Sequence, residues 1–501
     1  MMPSIAAAEV VLAVDQGTTS TKCVAVDRDG AVRFTASAPV QIFSPRDQWM
    51  EQSPQEIIAS VRTVIEQAAF YCHEQRLLVS GIAISNQRET ALAWNAETSE
   101  PICNAISWQC RRSSAICDQL AAQADLIRSR TGLVLDPLVS ASKWAWLLTE
   151  SENAARAEEL ASSGNLRLGN VDAWLLWWMT GGKTYATDHT NASRTALLGL
   201  DSLSWDTEML ALFGIPASAL PSVQPSASVF GVCTAIDALQ EVPIVCVVGD
   251  SHGALAAQGA PGTVKATYGT GSSLMVALDT LPKDCKGLAR AVGYSTAAGV
   301  QFALEGNIAM SGAALKWVGE FLGLPDPVAD AATLAASVPD SDGVVFVPAM
   351  AGLGAPWWDA SARGALLNLG PWHTRAHMAR AALEAIAHQV ADVFEAMVEA
   401  TGVVFPALNA DGGATRNAAL MQFQADLLQC EVRRSQREEL SAIGAAWLGG
   451  VTLGWWNSVD EPYAKSAPPQ VFKPCMPDHE RANRREAWLD SVRRTLSEGA
   501  A

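Results

Sequence analysis

Short apolar runs rich in β-branched residues, each closed by Asp, Gly or Thr, alternate with longer stretches whose apolar residues recur at helical spacing. The first run, Val10-Val11-Leu12-Ala13-Val14, predicts a β-strand that ends in the polar turn Asp15-Gln16-Gly17-Thr18-Thr19-Ser20. A second, Lys22-Cys23-Val24-Ala25-Val26, closes at Asp27-Arg28-Asp29-Gly30 and completes a β-hairpin with a Gly/Thr-rich turn. The same order returns later: Val264 to Tyr268, then Gly269-Thr270-Gly271-Ser272-Ser273, then Leu274 to Leu278. Two such units about 250 residues apart predict a duplicated fold whose halves face one another. Gly81 to Ser85 and Ala407 to Ala410 supply a second parallel, each a strand opening onto a polar loop, where ligands gather in α/β folds. Ala379 to Glu399 reads as a helix, and the alternation as a whole predicts an α/β protein. The boundary between halves is expected near Gly253 to Gly262, which gives domains 1–253 and 254–501.

The chain's 501 residues are enough for two or three compact cores. The 52 acidic residues outnumber the 35 basic ones for a net charge of −17, a surface that repels nucleic acid and anionic lipid. Any phosphate this chain handles therefore needs a local site of amides, metal and a few cations. The longest apolar runs fall short of a membrane span, and Met1 to Val14 lacks a basic leader segment, so a cytoplasmic protein is expected. Ten scattered cysteines form no CxxC pair, and Cys103, Cys110 and Cys117, seven residues apart, suit one side of a helix rather than a zinc cage. The 17 tryptophans read as core and interface filling.

The chain carries no GxxxxGK[ST] loop, HExxH, GxGxxG after a strand, or GxSxG. Phosphate binding without a Walker loop needs backbone amides aimed at anionic oxygens, plus hydroxyl donors. Gly17-Thr18-Thr19 and Gly269-Thr270-Gly271 supply both, with Lys22 adding charge near the first; each is also the makings of an ordinary hairpin turn. Asp15 and Asp250 stand at strand ends. A carboxylate there can hold Mg²⁺, take a proton from a substrate hydroxyl, or cap the helix that begins near Ser251. Arg88 and Glu89 offer fork donors and an acceptor for vicinal hydroxyls, or form a solvated loop; His252 is catalytic or pocket-lining.

Several strings together carry a resemblance. Asp15-Gln16-Gly17-Thr18-Thr19-Ser20, Ser85-Asn86-Gln87-Arg88-Glu89-Thr90, Trp108-Gln109-Cys110-Arg111-Arg112 and Thr190-Asn191-Ala192-Ser193-Arg194-Thr195 lie in the first half. Tyr268-Gly269-Thr270-Gly271, Gly352-Leu353-Gly354-Ala355-Pro356-Trp357, Asp411-Gly412-Gly413-Ala414 and Leu420 to Gln424 follow in the second. In that order, from about residue 10 to 490, they resemble the glycerol kinases of the FGGY carbohydrate kinase family. The resemblance implies two actin-like (ribonuclease H-like) domains with ATP in the cleft between them, and phosphorylation of a small polyol, glycerol first. It implies Asp250 as general base and Asp15 with Asp250 as Mg²⁺ ligands. Arg88, Glu89, Trp108, Leu138, Asp250, Ser251 and Ser273 would meet the acceptor. Thr18, Thr19, Ser20, Lys22, Gly269, Thr270, Gly312, Lys316, Gly413, Ala414 and Asn417 would meet the nucleotide. A homodimer or homotetramer is implied as well.

The chain departs from that family pattern inside the pocket. Leu138 stands for a polyol-contacting Tyr, Ser251 for Gln, Ser273 for a Phe over the glycerol backbone, Lys316 for Gln, Lys22 for Arg and Asn368 for Gly. Losing a phenol and a phenyl ring favours a larger acceptor such as erythritol, xylitol, xylulose or ribulose as the alternative. A catalytically silent sugar-binding regulator and an actin-like ATPase are the readings from other classes.

Overall fold

The computed structural model describes residues 8–258, 262–285, 287–350 and 352–497. They fall into two compact units: Met1–Gly259 with Arg290–Phe302 and Glu439–Ser466, and Ala260–Ala289 with Ala303–Glu438 and Ala467–Ala501. Of the stretch expected to hold the boundary, Gly253 lies inside the helix Asp250–Gln258, and residues 259–261 lie outside the described residues. The segment 439–466, placed by its sequence position in the second half, belongs to the first unit because its helix covers that unit's sheet.

In the first unit five strands lie in the order Ile244–Gly249, Leu78–Asn86, Glu9–Gln16, Ser20–Asp27, Val32–Pro39. The Glu9–Gln16 and Ser20–Asp27 strands form the expected hairpin, pairing Asp15 with Lys22, and the Leu78–Asn86 and Ile244–Gly249 strands join in parallel. Strand alternation divides the first run between two cores. Val10, Leu12 and Val14 pack with Ile57, Val61 and Ile65 of the helix Pro54–Glu74. Val11 and Ala13 pack on the other face with Ile443 and Trp447 of the helix Leu440–Thr452. Both faces are dry, which is why the run reads as continuous apolar residues rather than alternating ones.

The second unit repeats the plan. Strands Ser272–Leu278, Val264–Tyr268, Ala407–Asp411, Glu431–Arg434 and Gln470–Phe472 lie side by side in that order. The first two pair as an antiparallel hairpin, and Ala407–Asp411 joins in parallel. The predicted helix over 379–399 spans Arg375–Thr401, with Thr374 and His377 closing a capping box at its start. Cys103 and Cys110 lie outside any helix and only Cys117 sits in one, the short Ser114–Gln119, so the seven-residue spacing does not mark a helix face. Among the described residues no cysteine is in a disulfide. Among the described residues no helix is long and apolar enough to cross a membrane.

Candidate active site

In the first unit the residues singled out by sequence gather at the ends of three adjacent strands. Asp15 lies near the end of Glu9–Gln16, where its Oδ1 accepts from Ser85 Oγ at 2.8 Å. Leu78–Asn86 runs into Gln87, Arg88 and Glu89, and Ile244–Gly249 delivers Asp250 as the first residue of the following helix. Arg88 Nε stands 3.2 Å from Asp250 Oδ1, which also accepts from the Ser251 amide at 2.6 Å. Gly249 is required at this join: a Cβ there would sit 2.8 Å from both Cγ and Cδ of Arg88.

Glu89 is held by a partner that the sequence reading passed over. Arg194 Nε donates to Glu89 Oε1 at 2.6 Å, and their side chains are 3% and 5% exposed. The two are 105 positions apart. The signal available was the string around Arg194, which says nothing of what the guanidinium meets. Lys143 is a second such residue. It is fully buried, and its Nζ donates to the carbonyls of Leu138 and Val139, fixing the turn that presents Leu138. Burial pulls its amine down to about 8, against the opposing pull of Glu89's charge. A lone lysine in the apolar run Ser140–Thr149 was the visible cue.

Gly17 closes the first turn by donating its amide to the Ser20 carbonyl at 2.9 Å. Thr18 and Trp108, expected on nucleotide and acceptor respectively, are joined to each other: Trp108 Nε1 donates to Thr18 Oγ1 at 2.9 Å. Thr19 is exposed and Ser20 half-buried. Lys22 Nζ lies 2.6 Å from Glu439 Oε1, so the cation beside the turn has a carboxylate partner.

In the second unit the Gly269–Gly271 turn is held by a helix. The amides of Ser311 and Ala313 donate to the Thr270 carbonyl and that of Gly312 to the Gly269 carbonyl, at 2.9–3.1 Å. The glycines at 271 and 312 make room for backbone: a Cβ would fall 2.5 Å from the Ile308 carbonyl oxygen and 2.6 Å from that of Gly269. Gly413 differs, with nothing within 4 Å of its Cβ position, so it borders open space beside the half-buried Ala414. Asn417 Oδ1 caps the helix Ala418–Leu428 by accepting from the Leu420 amide at 3.0 Å. Ser273 Oγ donates to Glu305 Oε1 at 3.3 Å, and the exposed Lys316 stands 3.6 Å from Glu320.

Burial and the charge of Asp250, with a smaller push from Glu439, raise the Asp15 carboxyl to about 7, against the Ser85 hydrogen bond and Lys22. Two carboxylates that repel each other at the strand ends of one sheet fit a divalent cation. Mg²⁺ is commonly bound by one or two carboxylates completed by substrate phosphates. The sign of the pH effect follows. Folded Asp15 keeps its proton up to about pH 7 while the unfolded carboxyl loses it near 3.8, so the folded state binds more protons between those values. Its contribution to stability falls as pH rises through that window. In divalent-free buffer Asp15→Asn is therefore expected to melt above the native protein at pH 7.5 and level with it near pH 4. The upper bound of the gain is on the order of 4 kcal/mol for this partly exposed group. Added Mg²⁺ should raise the native melting temperature and leave that of the variant in place. Thermal melts at both pH values check this.

Comparison with known proteins accounts for the arrangement. Residues 10–257 match the model of the FGGY family of carbohydrate kinases, N-terminal domain, and residues 264–453 match the C-terminal domain of the same family. An apulose kinase of Pectobacterium atrosepticum is 44% identical over 492 residues, covering 97% of this chain and 98% of that protein. A glycerol kinase of Shewanella amazonensis is 42% identical over 498 residues, covering 98% and 99%. The crystal structure of Plasmodium falciparum glycerol kinase with ADP superposes with a TM-score of 0.90 at 29% identity, covering 98% of this chain and 99% of that one. A xylulose kinase from Lactobacillus acidophilus shares the fold with a TM-score of 0.84 at 21% identity, covering 97% and 98%. The chain belongs to the FGGY family of carbohydrate kinases: it is a sugar or polyol kinase, a phosphotransferase with an alcohol acceptor that uses ATP with Mg²⁺.

Proposed function

We propose that this kinase phosphorylates a hydroxyl of a polyol or ketose larger than glycerol, with apulose the first acceptor to test. The observation that carries this reading is the acceptor wall of the first unit. Leu138 and Ser251, both half-buried, stand where the resemblance to glycerol kinases puts a tyrosine and a glutamine. The turn bearing Leu138 is rigid: its amide donates to Asp136 Oδ1 at 2.8 Å, Arg111 pairs with Asp136 at 2.9 Å, and Lys143 holds its carbonyl. A fixed wall that has lost a phenol leaves room that glycerol does not fill. A buried polar group left unpaired by a poorly fitting acceptor costs about 1–3 kcal/mol, enough to decide between substrates. The apulose kinase relative agrees with this direction. Glycerol remains the second reading, favoured by Arg88, Glu89 and Trp108.

In this mechanism Asp250 accepts the proton of the attacking hydroxyl at its carboxylate, with Arg88 fixing the direction of Oδ1. Glu89, clamped by Arg194, accepts hydrogen bonds from the other hydroxyls and orients the acceptor. Asp15 and Asp250 would hold Mg²⁺, which would supply positive charge against the phosphates. Thr18, Thr19, Ser20 and Lys22 serve the phosphates in the first unit; Gly269, Thr270, Gly312, Lys316, Gly413, Ala414 and Asn417 serve the nucleotide in the second. A coupled ADP-release assay across apulose, glycerol, erythritol, xylitol, xylulose and ribulose tests the reading. The largest kcat/KM is expected for an acceptor larger than glycerol. Highest kcat/KM for glycerol overturns the choice of substrate, and ADP release independent of any acceptor overturns the kinase role.

A further inference from the structure

The strand that delivers Asp250 is anchored by a buried polar hub outside the residues so far assigned to the reaction. Asp188, fully buried, accepts five hydrogen bonds: from the Thr190 amide and hydroxyl, the Asn191 amide and side-chain Nδ2, and Ser226 Oγ, at 2.6–2.9 Å. The Thr190 hydroxyl, its proton given to Asp188, is left with lone pairs to accept, and the Gly249 amide donates to it at 2.8 Å. Gly249 immediately precedes Asp250. On the other side of the hub, Asn191 and Asn86 exchange side-chain hydrogen bonds at 2.9 and 3.1 Å, and Asn86 ends the strand that leads to Arg88 and Glu89. One carboxylate thus ties together the two strand ends that carry the base and its guanidinium partner. Gly249, in register with Asn86 at the end of an apolar strand, is thus tied to the hub through its own amide.

We propose that Asp188 and Thr190 are positioning residues for phosphoryl transfer, setting where the Asp250 carboxylate points by holding the Gly249 amide. The inference rests on Asp250 being the base. Orientation of a catalytic group by a fraction of its own length is worth on the order of 10²-fold in rate. The hub therefore acts on kcat, while ATP binding, which does not pass through it, stays as it is.

The experiment compares Thr190→Val, an isostere without the hydroxyl, with Thr190→Ser, which restores it, in ADP-release assays with the best acceptor of the panel above. Thr190→Val is expected to lower kcat by about 10²-fold with the KM for ATP unchanged, and Thr190→Ser to recover most of the loss. Ser226→Ala removes another Asp188 donor without touching the link to Gly249. It is expected to lower the melting temperature as Thr190→Val does, yet to keep kcat. Native kcat in Thr190→Val overturns the proposal, as does a kcat loss in Ser226→Ala that matches it. Thr190→Ala, which adds no bulk, carries the comparison if the valine variant does not fold. Asp250→Asn separates the two levels. If it is inactive while Thr190→Val is normal, the base assignment stands and the hub fails. If Asp250→Asn itself turns over normally, the base assignment falls and the proposal with it.

Discussion

Asp250→Asn is expected to lower kcat by about 10²–10⁴-fold, the range typical of losing a general base. Asn keeps the shape of the side chain and can still accept from the Ser251 amide and face Arg88, so the loop should stay in place. What disappears is the ability to take the acceptor's proton. Nucleotide affinity measured without Mg²⁺ should hardly change, because the turns at Gly269 and Gly413 belong to the second unit. Single-turnover ADP formation measured beside equilibrium ATP binding makes the distinction. Near-normal turnover in the variant would remove Asp250 from the chemistry.

Arg194→Met is the change with the largest expected cost in stability. Arg194 and Glu89 are both almost wholly buried, and removing one partner strands the other's charge in a low-dielectric setting at about 3–5 kcal/mol. Lys143, close enough for its charge to be felt by the same carboxylate, softens the loss and places the expectation at the lower end of that range. Glu89 also has a left-handed backbone, φ 60°, which the surrounding contacts must sustain. Urea unfolding should show the lowered midpoint, and KM for the acceptor should rise more than kcat falls. A midpoint within error of the native value would mean that the pair contributes little to holding the loop.

The strand Glu9–Gln16 was legible because it is a short run of branched residues buried on both sides, Val10 to Val14 all 0% exposed. Asp15, Arg88 and Asp250 were legible because strand ends opening on polar loops are where α/β chemistry sits. Partners were not. Arg194 is 105 residues from Glu89, and Glu439 is 417 residues from Lys22. No local pattern records which distant charge a loop will meet. Glycine was the residue most easily misread. At 271 it makes room for a neighbouring carbonyl and at 413 it borders open space, though both sit in a Gly/Thr-containing string.

The helix Asp250–Gln258 and the helix Leu440–Thr452 meet backbone to backbone. A Cβ on Gly444 would fall 1.8 Å from the Gly253 carbonyl oxygen, and one on Gly253 would fall 2.5 Å from that of Ser441. Translation therefore releases the N-terminal sheet with one face bare. At a ribosomal pace of about 5–20 residues per second, roughly 10–40 s pass before the covering helix emerges. A gene cut at the midpoint would yield a fragment with the same naked side, prone to clump, and supplying residues 439–466 on a separate peptide is the way to rescue it.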